Sequence, residues 1–227
     1  MKMIVFLWLF PYILLAQSPN FAQIFGQKYK GALTFTQQYH NTIYQSLKGY
    51  GIEPHVGLSI VFPELMRYNP TQDAAETMGN RLLYANFGEE YSNFSIGCFQ
   101  MKPTFVEQLE KEVRKRQELA IFLPISQYKS TDIVEVRKER LERLSQLAWQ
   151  VKYLACFLTI IQHKFPLSDK SMLEKVKFYA TAYNRGFLES EAEILRWTKK
   201  ANFPDVEHAS GKLYIYGEIA SYFFLAD

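Results

Sequence analysis

Glu64 stands in apolar company. In Gly57-Leu58-Ser59-Ile60-Val61-Phe62-Pro63-Glu64-Leu65-Met66-Arg67-Tyr68 it follows three large apolar residues and a proline, and it precedes Leu65 and Met66. Taking a carboxylate charge out of water is expensive, so such a residue either reaches solvent or keeps its proton. A carboxyl that keeps its proton near neutral pH can protonate a leaving oxygen, the task of a general acid. Both readings are open here: an exposed charge at a helix end, or a proton held for chemistry. Arg67 is one helical turn on and would oppose the second reading if it folded back onto Glu64.

Two further islands could carry chemistry. In Ser95-Ile96-Gly97-Cys98-Phe99-Gln100-Met101-Lys102-Pro103, Gly97 permits close approach of another backbone or a ligand. Gln100 is an amide in an apolar setting, able to donate and accept together as recognition of hydroxyl or acetamido groups requires. Ala180-Thr181-Ala182-Tyr183-Asn184-Arg185-Gly186 puts a Tyr-Asn pair at a helix end. Each also has a plain structural reading, as a tight turn into a helix and as an Asn/Gly helix stop. Other chemistries lack residues. The four histidines, His40, His55, His163 and His208, are scattered without metal-ligand spacing. There is no Gly-x-Ser-x-Gly elbow, no P-loop and no complete Gly-x-Gly-x-x-Gly, so neither a metal nor any cofactor is expected. Asn93-Phe94-Ser95 is formally a glycosylation sequon, with nothing else to support that use.

The elements that must position these residues read as helices. Phe35, Tyr39, Ile43 and Leu47 recur at steps of four and predict one helix over 33–48, stopped by Gly49 and Gly51. A second helix starts at Glu53-Pro54 and should kink or end near Pro63, placing Glu64 at the break. Residues 69–94 contain the turn signals Asn69-Pro70, Gly79-Asn80 and Phe87-Gly88, and read as an irregular stretch, a small hairpin or short helical pieces. A helix over 104–119 opens on a capping-box pattern, Thr104 to Glu107, with a charged tail that reads as a solvated face. The longest periodic segment, 132–165, is charged in its first half and apolar on more than one face in its second, which should be central core. Helices at 168–183, 190–199 and 212–225 follow. No internal repeat or linker is visible, so the fold class is mainly α in one domain.

Met1-Lys2, an apolar run from Ile4 to Leu15, and Leu14-Leu15-Ala16 before Gln17 have the layout of a secretory signal peptide over 1–16. A retained N-terminal anchor is the alternative. On the first reading, 17–227 is the mature domain, periplasmic or secreted, with no stable membrane span after cleavage. The net charge of +3, with Lys and Arg interleaved with Glu, gives no case for nucleic acid. Fifteen Tyr, 18 Phe and 3 Trp suit either a packed core or a groove on which sugar rings stack. Cys98 and Cys156 could pair in an oxidising compartment, stabilising by roughly 4 kcal/mol through loop closure. Two separate buried thiols are the other reading.

Taken together and in order, the three islands resemble the lysozyme-like superfamily, nearest to lytic transglycosylases of the soluble type and goose-type lysozymes. The pattern there is a glutamate, then Gly-Leu-Met-Gln-x-x-Pro, then Ala-Tyr-Asn-x-Gly. Here it reads Glu64, then Gly97-Cys98-Phe99-Gln100-Met101-Lys102-Pro103, then Ala182-Tyr183-Asn184-Arg185-Gly186. The likeness spans about 53–190. It departs at Cys98-Phe99, at Leu65 where Ser is usual, in a long interval between Glu64 and Gly97, and in an expanded charged segment over 107–147. The resemblance implies a lysozyme-like α+β fold with a groove that cleaves the β-1,4 bond between N-acetylmuramic acid and N-acetylglucosamine in bacterial peptidoglycan. It implies Glu64 as the catalytic acid/base. Ser95, Gln100, Met101, Tyr183 and Asn184 would then bind sugar or orient Glu64, Asn184 chiefly by fixing the helix end. Glycan strands are the implied partner, with cell-envelope proteins as further ones. Asp73, Glu76, Glu89 and Glu90 could supply the second carboxylate of an inverting muramidase. A binding module without catalysis, or a structural helical domain of the envelope, would share much of the same pattern.

Overall fold

The computed structural model describes residues 19–204 and 211–226, apart from the side chains of 72–77; the expected signal segment 1–16 lies outside them. Helices dominate, in agreement with a mainly α fold, and among the described residues pairing between extended segments is limited to the single bridges Ile96↔Met101 and Phe203↔Tyr214.

The helix that carries Glu64, α4 (Pro54–Arg67), lies at the centre. α1 (Phe21–Phe25), α2 (Gln27–Gln38) and α3 (His40–Gly49) precede it. The single helix expected over 33–48 is broken at Tyr39, whose φ of −102° and ψ of 9° leave the helical range. α3 then turns so that Ile43 and Leu47 still reach the core. In α4, Glu53 caps the first turn, its Oε2 accepting the Val56 N–H at 2.6 Å, and Pro54 occupies the first helical position. The helix does not end at Pro63. It continues to Arg67, and Tyr68 N–H closes the last turn on the Glu64 carbonyl at 2.9 Å. Pro63 has no N–H to give the Ser59 carbonyl, a local loss that burial of nearly every α4 side chain offsets.

The stretch 69–94 is not an irregular excursion: α5 (Pro70–Phe87) is one helix through Gly79-Asn80. Of the turn signals, Pro70 opens the helix and Gly88, at φ 89°, follows its end, while Gly79 is merely tolerated on an open face. Asn80 is held by a hydrogen bond from the Ser92 hydroxyl at 3.0 Å. The periodic segment 132–165 is two helices, α7 (Ile133–Leu144) and α8 (Leu147–Lys164), bent by 96° at Ser145-Gln146. No single described helix is long and apolar enough to cross a membrane.

α6 (Pro103–Lys115) starts at Pro103, and the expected capping box is not made. Thr104 instead donates to Asn93 Oδ1 at 3.0 Å, and Glu107 accepts from the Tyr84 hydroxyl at 2.6 Å. Nor is this charged segment a solvated face throughout. Glu110 is 2% exposed and takes a bidentate pair of 2.8 Å bonds from Arg140 of α7, which also reaches Glu107 at 3.0 Å. This buried ion cluster ties α5, α6 and α7 together behind the wall that α6 presents to solvent. A 3₁₀ segment (Gln117–Ser126) links α6 to the loop before α7.

α9 (Met172–Arg185) begins later than 168, at a complete Ser171/Glu174 capping box, and ends on Gly186. α10 (Glu191–Trp197) and α11 (Tyr216–Ala226) follow. α11 packs across both α4 and α9. The contact with α9 is tight: a Cβ on Gly217 would stand 2.8 Å from the Lys177 carbonyl oxygen. Cys98 and Cys156 are both buried and not joined to each other, so the disulfide is not formed.

Candidate active site

The three sequence islands converge. Glu64 from the end of α4, Ser95, Gln100 and Met101 from the turn before α6, and Tyr183 and Asn184 from the end of α9 all line one groove of ≈ 760 Å³. Thr104, Phe105 and Gln108 of α6 complete its opposite wall.

The sequence around Glu64 explains its burial. Ile60, Val61 and Phe62 occupy the preceding turn and Leu65 and Met66 the following one, all buried, which leaves the Glu64 residue 4% exposed. Burial pushes its carboxyl above the ordinary value of 4.5. Arg67, a hydrogen bond with Tyr216 and the more distant charge of Lys102 pull the other way without reversing the shift. Arg67 does fold back, but with one contact, Nη1 to Oε2 at 3.4 Å. That length is beyond the usual range of a charge-assisted bond.

The turn bearing Gln100 is built around Gln150 of α8, which is 1% exposed. Its Oε1 accepts the Phe99 N–H at 2.8 Å and the Cys98 thiol at 3.2 Å; its Nε2 donates to the carbonyls of Ile96 at 2.9 Å and Leu144 at 2.5 Å. The clasp leaves no room for a side chain at Gly97. There a Cβ would lie 1.9 Å from Gln150 Nε2, and φ is 71°. Gln100 itself has a positive φ of 49°, with its Nε2 donating to the Gly97 carbonyl at 2.8 Å. A non-glycine residue held in this region is strained, which the Gln150 clasp over-determines. Met101 is 2% exposed and exchanges backbone bonds with Ile96, so it forms wall rather than rim.

Tyr183 and Asn184 are committed to neighbours. The Tyr183 hydroxyl donates to the Phe99 carbonyl at 2.7 Å, locking α9 to the turn. Burial first, then the nearby Glu64 charge, raise its pKa, so it stays neutral. Asn184 Oδ1 accepts from Asn202, which fixes the helix end against Asn202 and, through its backbone, Tyr214.

Two residues beyond the sequence reading complete the site. One is Gln150. The other is Tyr216 of α11, whose hydroxyl donates to the Ile60 carbonyl at 3.1 Å and which acts on the Glu64 carboxyl, lowering its pKa. A phenol has one proton and can also accept. With its proton turned toward Glu64 it solvates the carboxylate, the sense in which it lowers the Glu64 pKa. Neither residue has a local motif, since each acts on a turn far away in the chain.

Glu64 is the one carboxylate lining the groove among the described residues. Glu89 and Glu90 are exposed and do not line it, and the side chains of Asp73 and Glu76 lie outside the described residues. Among the described residues no cluster of His, Cys, Asp and Glu could hold a metal ion. No family model, no curated protein and no solved structure matches this chain.

Proposed function

We propose that this chain is a peptidoglycan-cleaving glycosidase acting on the β-1,4 bond between N-acetylmuramic acid and N-acetylglucosamine, by lytic transglycosylation. The observation that carries the reading is a lone, buried and protonated-leaning carboxyl, Glu64, at the floor of a groove whose walls offer amides and hydroxyls. In the proposed reaction Glu64 gives its proton to the glycosidic oxygen as the bond from that oxygen to C1 breaks. The resulting carboxylate then takes the proton of the sugar's own 6-hydroxyl, whose oxygen bonds to C1. The product is a 1,6-anhydro sugar, no water is consumed and Glu64 regains its proton. An inverting hydrolysis needs a second carboxylate to activate water. The groove's single carboxylate among the described residues supports the one-acid route.

The lysozyme-like fold belongs to the same proposal. Its support is the helical frame around Glu64 and the order of the three islands, with the β part reduced among the described residues to two bridges. Export to the periplasm or outside, glycan strands as the partner and envelope proteins as neighbours go with it.

Incubating purified sacculi with the protein and analysing released fragments by mass spectrometry tests the reading. Anhydro-ended muropeptides are expected. Reducing ends would replace transglycosylation by hydrolysis, and saccharide binding with no release from any peptidoglycan would leave a binding module.

A further inference from the structure

The charged groups of the groove are not balanced as those of the whole chain are. The chain has 26 Lys and Arg against 23 Asp and Glu. Among the described residues the groove is lined by Arg67, Lys102 and Arg185 against Glu64 as the one carboxylate. When Glu64 holds its proton, all the charge on that lining is positive. Among the described residues the ion pair of Arg67 is its 3.4 Å contact with Glu64. Arg185 is shared between Glu189 and Glu193 at 3.5 Å each and lies over the Trp197 ring at 4.7 Å. Lys102, exposed at the start of α6, makes no ion pair within 4.0 Å among the described residues. The remaining polar lining, including Asn93, Gln100 and Gln108, is neutral and suits hydroxyl and acetamido groups.

Resting on the glycosidase reading, we propose that the groove selects glycans that bear free carboxylates, with Lys102 as the principal anion contact and Arg67 beside it. A neutral N-acetylglucosamine polymer meets the same amides but brings no counter-charge to the cations of the lining. A carboxylate seated on Lys102 and Arg67 also screens the two charges that draw the proton from Glu64, so the ligand that binds best also favours the acid form. Two parts of peptidoglycan offer this chemistry: carboxylates of the stem peptides, and the lactyl carboxylate of muramic acid once the peptide is removed.

The test is binding of the Glu64→Gln variant to three glycans of matched length: peptide-bearing strands, amidase-stripped strands and a neutral chitin oligosaccharide, each at low and high salt. At least one carboxylate-bearing strand should bind about tenfold more tightly than the neutral one at low salt, with the margin shrinking at high salt. Adding Lys102→Gln should cut that margin to under about threefold. A preference for peptide-bearing strands assigns the contact to the stem, and one for stripped strands assigns it to the lactyl group. Equal binding of neutral and anionic glycans, or a margin untouched by Lys102→Gln, overturns this proposal and leaves the glycosidase reading standing. Binding of none of the three, with no cleavage by the unaltered protein, overturns both.

Discussion

Arg67 meets Glu64 with a single nitrogen, Nη1 to Oε2 at 3.4 Å, its side chain 34% exposed against 6% for the glutamate. A bidentate pair would have held the carboxylate ionised; this contact leaves burial in charge of the proton. Because Arg67 lowers the Glu64 pKa, its removal lets the proton persist to higher pH. Arg67→Gln should therefore move the alkaline limb of kcat/KM for muropeptide release upward. A limb that stays put or moves down would show that Arg67 does not act on the acid.

Glu64→Gln should reduce release of anhydro-muropeptides by about 100-fold or more, the scale of losing a general acid. The same variant separates fold from chemistry through pH. A carboxyl whose folded pKa lies above its unfolded one stabilises fully below the unfolded value, and that contribution is lost as pH rises through the folded value. Above pH 4.5 the unaltered protein should thus lose stability relative to Glu64→Gln, by at most about 1.4 kcal/mol per pH unit. Chemical denaturation across pH reads this directly; parallel curves would mean the carboxyl is not buried in solution.

Tyr216→Phe keeps the ring and removes the hydroxyl that donates to Ile60 and lowers the Glu64 pKa. A cost of about 1 kcal/mol in stability is expected. Since the Tyr216 hydroxyl lowers the Glu64 pKa, the alkaline limb should again rise. Loss of stability without any shift of the pH profile would confine Tyr216 to packing.

Gln150→Leu should destabilise by about 2–4 kcal/mol, because it strips partners from the Phe99 amide and from the carbonyls of Ile96 and Leu144 at once. Gly97→Ala attacks the same clasp from the other side and should cost a similar amount. The pair should fall well short of additive in a double-mutant cycle, since either change already opens the turn.

Cys98 and Cys156 should both react with a thiol reagent after unfolding and resist it in the folded protein, being buried. Burial pushes the Cys156 thiol well up, away from the reactive thiolate. A reductant should leave Tm unchanged, whereas a drop in Tm would reveal a bond between them.

The helical class was legible because α3, α4, α8 and α9 bury faces that repeat at helical spacing, and so was the meeting of the three islands in one groove. Breaks were less legible than helices. Tyr39 and Ser145 interrupt segments whose apolar period continues across them, because the chain folds back onto the same core on either side. Pro63 and Gly79 mislead in the opposite sense, as helix breakers held inside helices by tertiary packing or by an open face. Gln150 and Tyr216 could not be read at all: a polar residue in an apolar helix looks like an imperfection until the distant turn it serves is in place.

Tyr216 reaches Glu64 from α11, which follows α4 at a great remove along the chain. Until α11 has docked against α4 and α9, one wall around the carboxyl is missing and water has access to it. An acid in water at neutral pH gives its proton away. The proton on Glu64 is therefore a property of the assembled helices rather than of its own segment: the acid that the proposed reaction needs exists only once α11 is seated.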